Sequence, residues 1–123
     1  MIEEHFQRVE NVLREFPNIR SYALSKKVYN NQQGMVSGKI VFENGSRLEF
    51  LEVIDVGQEA KPKYRYHFMD KSNRLIFRYD NAAHHPQIKS FPHHKHLANG
   101  IKVSAEPSLH DVLFEITKKN KKK

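Results

Sequence analysis

No cysteine occurs in the chain, which removes disulfide staples, Cys-ligated zinc and a cysteine nucleophile together. No apolar run approaches the ~18 residues that suggest a membrane span, and the acidic start MIEEHF has neither the basic nor the apolar region of a signal peptide. A cytoplasmic protein without a membrane partner is therefore expected. Also missing are a serine triad, a Walker loop and a dinucleotide fingerprint, so hydride and phosphoryl transfer lack support. There is no internal repeat and no linker. The 123 residues suit one domain, long enough to bury a core without a staple or a structural metal.

Positive charge is what the chain has in excess, and it is unevenly placed. Residues 1–60 hold seven Lys/Arg against nine Asp/Glu, residues 61–117 nine against five, and five lysines follow. A single α+β domain is expected over residues 1–117. The lysines of residues 118–123 read as a disordered, solvated tail that either aids solubility or weakly steers phosphate.

Ile2, Phe6, Val9, Val12, Leu13 and Phe16 recur at helical spacing until Pro17 stops the pattern. Residues 19–56 alternate with period two, with Gly34 and Asn44-Gly45 as turn punctuation. Hydrophobic register favours a three-residue loop at Asn44, Gly45 and Ser46, which sets Phe42 against Leu48 and Ile40 against Phe50. A second hairpin is expected from residues 64–70 and 74–81. After an aperiodic stretch, Pro107 opens a last helix whose buried stripe is Leu109, Val112, Leu113 and Ile116. These elements predict the α+β class: an antiparallel β-meander sheet of about five strands, with an N-terminal and a C-terminal helix on one face.

Five of the eight histidines fall in residues 84–96, interleaved with Pro86 and Pro92. Imidazole exchanges protons near neutral pH and is the commonest metal ligand, so this is site chemistry rather than core chemistry. His94 and His96, an H-x-H pair, project to one side of an extended segment, and Lys95 between them points the other way. Pro86 holds His85 extended, which stiffens the loop. His5 and His110, alone on helices, read as surface residues.

In the second hairpin, pairing Tyr66 with Phe77 sets Arg65 across from Arg78, Lys63 across from Asp80 and His67 beside Ile76. Opposed arginines repel unless an anion sits between them, which predicts a phosphate or carboxylate site. The alternative is that both guanidiniums turn outward or pair with Glu49 or Glu52. Asp80, two residues after Arg78, is placed to orient a histidine or to hold Arg78.

Two chemistries suit these residues. A metal-independent ribonuclease needs a base for the 2′-hydroxyl, an acid for the leaving oxygen and cations for the transition state. His94, His96, His85, His67 and Asp80 are its catalytic candidates, and Arg65, Arg78, Lys95 and His84 its substrate-binding ones. It requires no cofactor. The competing site is a divalent metal such as zinc held by His94, His96, His85 and Asp80, disfavoured by the positive surroundings. A non-catalytic module that grips RNA or an acidic partner is a third reading.

The run YRYHFMDKSNRLIFRYDNAAHHPQIKSFPHHKH, with the helix-opening EPSLHDVL, resembles the TumE family of toxins from prokaryotic toxin–antitoxin modules. The resemblance spans roughly residues 64–117. The family's motif positions fall on Tyr66, His67, Arg78, Asp80, Asn81, His85, Pro86, Pro92, His94 and His96, with Ala83 where a proline is common. It implies a small cytoplasmic toxin neutralised by direct binding of a cognate antitoxin protein encoded beside it. RNA is the substrate the residues suggest, and a homodimer is compatible with this reading. His94→Ala and His96→Ala are each expected to abolish growth inhibition while leaving the melting temperature nearly unchanged.

Overall fold

The computed structural model describes residues 1–83 and 85–121. Helix α1 (Ile2–Arg14) is followed by seven strands, β1 (Ile19–Val28), β2 (Gln33–Phe42), β3 (Arg47–Asp55), β4 (Lys63–Met69), β5 (Leu75–Asp80), β6 (His94–Leu97) and β7 (Gly100–Val103), and then by helix α2 (Leu109–Lys121). The strands form one antiparallel sheet in strictly sequential order. The α+β meander is as expected, with two more strands: β6 and β7 fall in the stretch where no period was visible. Lys118, Lys119 and Lys121 were expected in a tail but belong to the last turn of α2, where their charge complements the helix dipole. No described helix is long and apolar enough to cross a membrane.

Period-two alternation sends one row of side chains from each strand toward the helices. Val36, Ile40, Leu48, Phe50, Tyr66, Phe68 and Phe77 meet Ile2, Phe6, Val9 and Leu13 of α1 and Leu109, Val112, Leu113 and Ile116 of α2 in a single core. Ser108 caps α2: its hydroxyl accepts the Asp111 N–H at 3.1 Å and Asp111 returns the bond to the Ser108 N–H at 3.0 Å. Both helices pack on the same side. The opposite face of the sheet has no helix over it, and every functional side chain discussed below that faces away from the core lies there.

Gly34 is not a turn residue but lies inside β2, paired with Val28 and with Ile54. A Cβ there would meet the Lys27 carbonyl at 2.6 Å and Ile2 Cγ1 at 2.8 Å, so the missing side chain is what lets α1 settle on the sheet. Gly34→Ala is expected to cost about 1–3 kcal/mol through overpacking, read as a lowered urea midpoint at unchanged slope. An unchanged midpoint would mean that α1 can lift without penalty.

Two registers differ from expectation. In the β2–β3 hairpin Ile40 faces Leu48, because the three-residue loop is Glu43, Asn44 and Gly45, with Gly45 supplying the left-handed position at φ +86°. In the β4–β5 hairpin Tyr66 faces Tyr79, His67 faces Arg78 and Arg65 faces Asp80. Lys71, Ser72 and Asn73 form the loop there, with Asn73 at φ 67° and the Asp70 carboxylate accepting the Ser72 and Arg74 N–H groups. An irregularity between Phe68 and Met69 slips the pairing by one more residue. Between Arg65–Asp80 and Phe68–Phe77 the net displacement is two residues, so inward and outward faces are kept there; beyond the irregularity Leu75 pairs with Met69 and it is Ile76 that packs against the core.

Candidate functional site

The corrected register overturns the opposed-arginine expectation. Arg65 lies across from a carboxylate, Asp80, and Arg78 lies between His67 and His96 on the neighbouring strands. Asp80 is buried, and three groups converge on it. Arg78 Nε donates to Oδ2 at 3.0 Å, the Ala82 N–H donates to Oδ1 at 3.1 Å, and His94 Nε2 approaches Oδ1 to 2.7 Å. This last contact is close, but the oxygen is off the ring's N–H direction, so the buried Nε2 has no aligned hydrogen-bond partner. His94 Nδ1 donates to the Pro92 carbonyl at 2.9 Å, which fixes the ring. His96 Nε2 lies 3.5 Å from the other carboxylate oxygen.

Strand β6 aligns His94 with Asp80 and His96 with Arg78 on the face without helices. The Pro-rich loop returns His85 above them. Ring centroids are 4.7 Å apart for His94 and His96, 5.2 Å for His85 and His94, and 5.7 Å for His85 and His96, all edge-to-face. One nitrogen from each of the three rings lies within 4.8 Å of the others. A cleft of about 380 Å³ opens beside them, lined by Lys63, Arg65, Arg78, Asp80, His85 and His96 among others. His94 is only 2% exposed and does not line it.

Burial and then the Arg78 guanidinium disfavour the His96 cation, outweighing the pull of Asp80, so its pKa falls below the ordinary imidazole value. His67 is lowered in the same way, by burial first and Arg78 second. Both rings are therefore neutral at neutral pH. A neutral imidazole can accept a proton or ligate a metal.

The remaining sequence candidates separate. His84 lies outside the described residues. Lys95 points away from the two imidazoles as expected, but that side is roofed by α2: its Nζ donates to Glu115 Oε2 at 2.7 Å, and the Tyr79 hydroxyl donates to Glu115 Oε1 at 2.6 Å. Burial works against the Lys95 cation, yet its bonds to Glu115 and Tyr79 hold its pKa above the ordinary value. Lys95 is thus a latch to the helix and does not face the cleft. His93, next to the pair, stacks on Tyr64 and lies 2.9 Å from its hydroxyl through Nδ1. Asn81 bonds backbone groups, accepting from the Tyr64 N–H at 3.0 Å and donating to the Pro62 carbonyl at 3.2 Å, which pins the β3–β4 connection beside the cleft.

His5 is not a surface residue. Its Nε2 lies 2.9 Å from buried Glu52, which also accepts the Tyr66 hydroxyl. Burial raises the Glu52 pKa, but the bonds from His5 and Tyr66 outweigh it and hold the carboxyl below its usual range. Sequence offered no sign of this, because residues 5 and 52 are joined only by the docking of α1 on β3. Glu52 faces the core, so neither cleft arginine pairs with it. His110, by contrast, is half exposed beside Glu15.

Fold and cleft together define a small α+β protein with helices on one face of a meander and an imidazole, carboxylate and guanidinium cluster on the other. The family model described as Toxin TumE matches residues 9–120. The chain belongs to the TumE toxin family, and its role is that of a toxin. No curated protein and no solved structure matches it.

Proposed function

We propose that this toxin is a metal-independent endoribonuclease. The observation that carries the reading is the pairing, in one basic cleft, of a neutral His96 with a second imidazole, His85, under the guanidiniums of Arg65 and Arg78. His96 takes the 2′-hydroxyl proton as the oxygen attacks the adjacent phosphorus. His85 gives a proton to the departing 5′-oxygen as its bond to phosphorus breaks, leaving a 2′,3′-cyclic phosphate and a 5′-hydroxyl. Arg78 and Arg65 stabilise the charge gathered on the phosphoryl oxygens. Buried His94, fixed by its bond to the Pro92 carbonyl, acts as a positioning residue by packing against Asp80, which holds Arg78. The protein partner is the cognate antitoxin, and covering this cleft is the simplest way for it to silence the toxin.

A second reading rests on the three converging imidazole nitrogens and the unaligned Nε2 of His94. His85, His94 and His96 would then hold a divalent metal, with Asp80 beside them, and the metal would supply Lewis-acid chemistry. Lys63, Arg65 and Arg78 around the same cleft weigh against a bound dication.

Incubation of purified protein with RNA, with and without EDTA, separates these readings. Cleavage unaffected by chelator and ending in cyclic phosphate is the expected result. Chelator-sensitive cleavage selects the metal, and salt-sensitive binding without cleavage selects the non-catalytic module. The pH profile adds a sign. Activity needs His96 neutral and is lost as pH falls through its pKa; because that pKa is depressed, the acid limb of kcat/KM should lie below about 6.5, the free-imidazole value. An acid limb above that value would remove His96 as the base.

A further inference from the structure

A second depression lies on the same open face of the sheet, beside the histidine cleft. Its volume is about 240 Å³, and its lining includes Ala23, Ser25, Ser37, Lys39, Glu49 and Arg65. Arg65 borders both depressions. Strand registers relate the two. Lys39, Glu49, His67, Arg78 and His96 form one row across five strands, and Ser37, Leu51, Arg65, Asp80 and His94 form the next. With neighbouring strands about 4.8 Å apart, Glu49 is two strands, or about 10 Å, from Arg78. That is roughly the reach from a backbone phosphate to the far edge of a base on the same nucleotide.

Ala23, Ser25 and Ser37 keep one side of this depression low, and Glu49 gives it a chemical character. Glu49 is a half-buried carboxylate on a basic face, with Lys39 and His67 as its cross-strand neighbours. Even so, no cationic nitrogen among the described residues comes within 4 Å of it. A carboxylate with free lone pairs, set among cations, fits a ligand that donates N–H groups at one end and carries negative charge at the other. A nucleotide has both. Among the bases only guanine presents two adjacent N–H donors, N1–H and the 2-amino group, on one edge, matching the two carboxylate oxygens in parallel. Adenine and cytosine offer one amino group there, and uracil one imino proton.

We propose that Glu49 reads a guanine in the bound RNA, with Arg65 bridging the base depression and the phosphate site. This specificity rests on the ribonuclease reading for its phosphate position but is tested apart from it. GMP, IMP and AMP are titrated into the full-length protein, with affinity read by calorimetry and contacts by amide chemical shifts. GMP should bind at least tenfold more tightly than AMP, and IMP, which lacks the 2-amino group, should fall between them. Glu49→Gln should bring GMP to the level of AMP. The IMP comparison changes no protein atom, so it holds even where the variant folds poorly. Equal affinity for GMP and AMP overturns the proposal, as does a guanine preference that survives Glu49→Gln. Guanine selectivity in a protein that leaves RNA intact would keep Glu49 as the reader and reject the ribonuclease.

Discussion

His96→Ala should yield a folded protein that no longer arrests growth. Removal of a general base costs about 10²- to 10⁴-fold in rate, which for a toxin is the difference between arrest and normal division. Among the described residues the ring's only carboxylate within 4 Å is Asp80, at 3.5 Å, and that carboxylate keeps Arg78 and the Ala82 N–H when His96 is gone. The expected stability loss is therefore about 1 kcal/mol or less. Growth after induction, cleavage of a defined RNA and thermal unfolding are the three measurements. Retained cleavage at the wild-type rate would remove His96 from the chemistry, and a collapsed melting curve would make its role structural.

His94→Ala should lose activity and stability together, which departs from the sequence expectation that both histidine variants keep their melting temperature. His94 is buried, so its loss leaves a cavity and removes the ring that lies 2.7 Å from Asp80 Oδ1. Emptying a buried site of that size costs about 2–4 kcal/mol, while Arg78 and the Ala82 N–H still hold the carboxylate. A double-mutant cycle with Asp80→Ala distinguishes an effect through Asp80 from simple packing loss. If His94 acts through Asp80, the double variant should be no less stable than the worse single one; fully additive losses would show that the two side chains do not depend on each other.

Some of this was legible in the sequence because local rules settle it. The helix stripes of α1 and α2 repeat over enough turns to be unambiguous, and H-x-H in an extended segment must place both imidazoles on one side. The faces of Tyr64, Tyr66, Phe68, Phe77 and Tyr79 were legible for the same reason, whereas Leu75 and Ile76, beyond the irregularity, take the opposite faces to those expected. The register of the β4–β5 hairpin was not legible: the left-handed Asn73 and the irregularity beside Phe68 each add a residue, and together they exchange Arg78 for Asp80 opposite Arg65. That exchange replaces a repulsive arginine pair with a carboxylate hub. The strands β6 and β7 are four residues each, too short for a period to emerge. Lys95 was correctly turned away from the imidazoles, yet nothing in its neighbourhood of sequence says that Glu115, twenty positions on, roofs that side. His5 and Glu52 escaped notice for the same reason.

The strictly sequential strand order has a consequence for the cell that makes this toxin. A chain emerges from the ribosome N-terminus first, so α1 and the β1–β3 meander can pair while the histidines of β6 are still untranslated. The arginines of β4 and β5 arrive next, without their imidazoles, and β6 gains its latch to Glu115 only when α2 follows. The cleft thus assembles only after the first strands of the sheet are in place. If the cleft is the toxic site, as proposed, the growing chain carries no such site while only α1 and the first strands have been made.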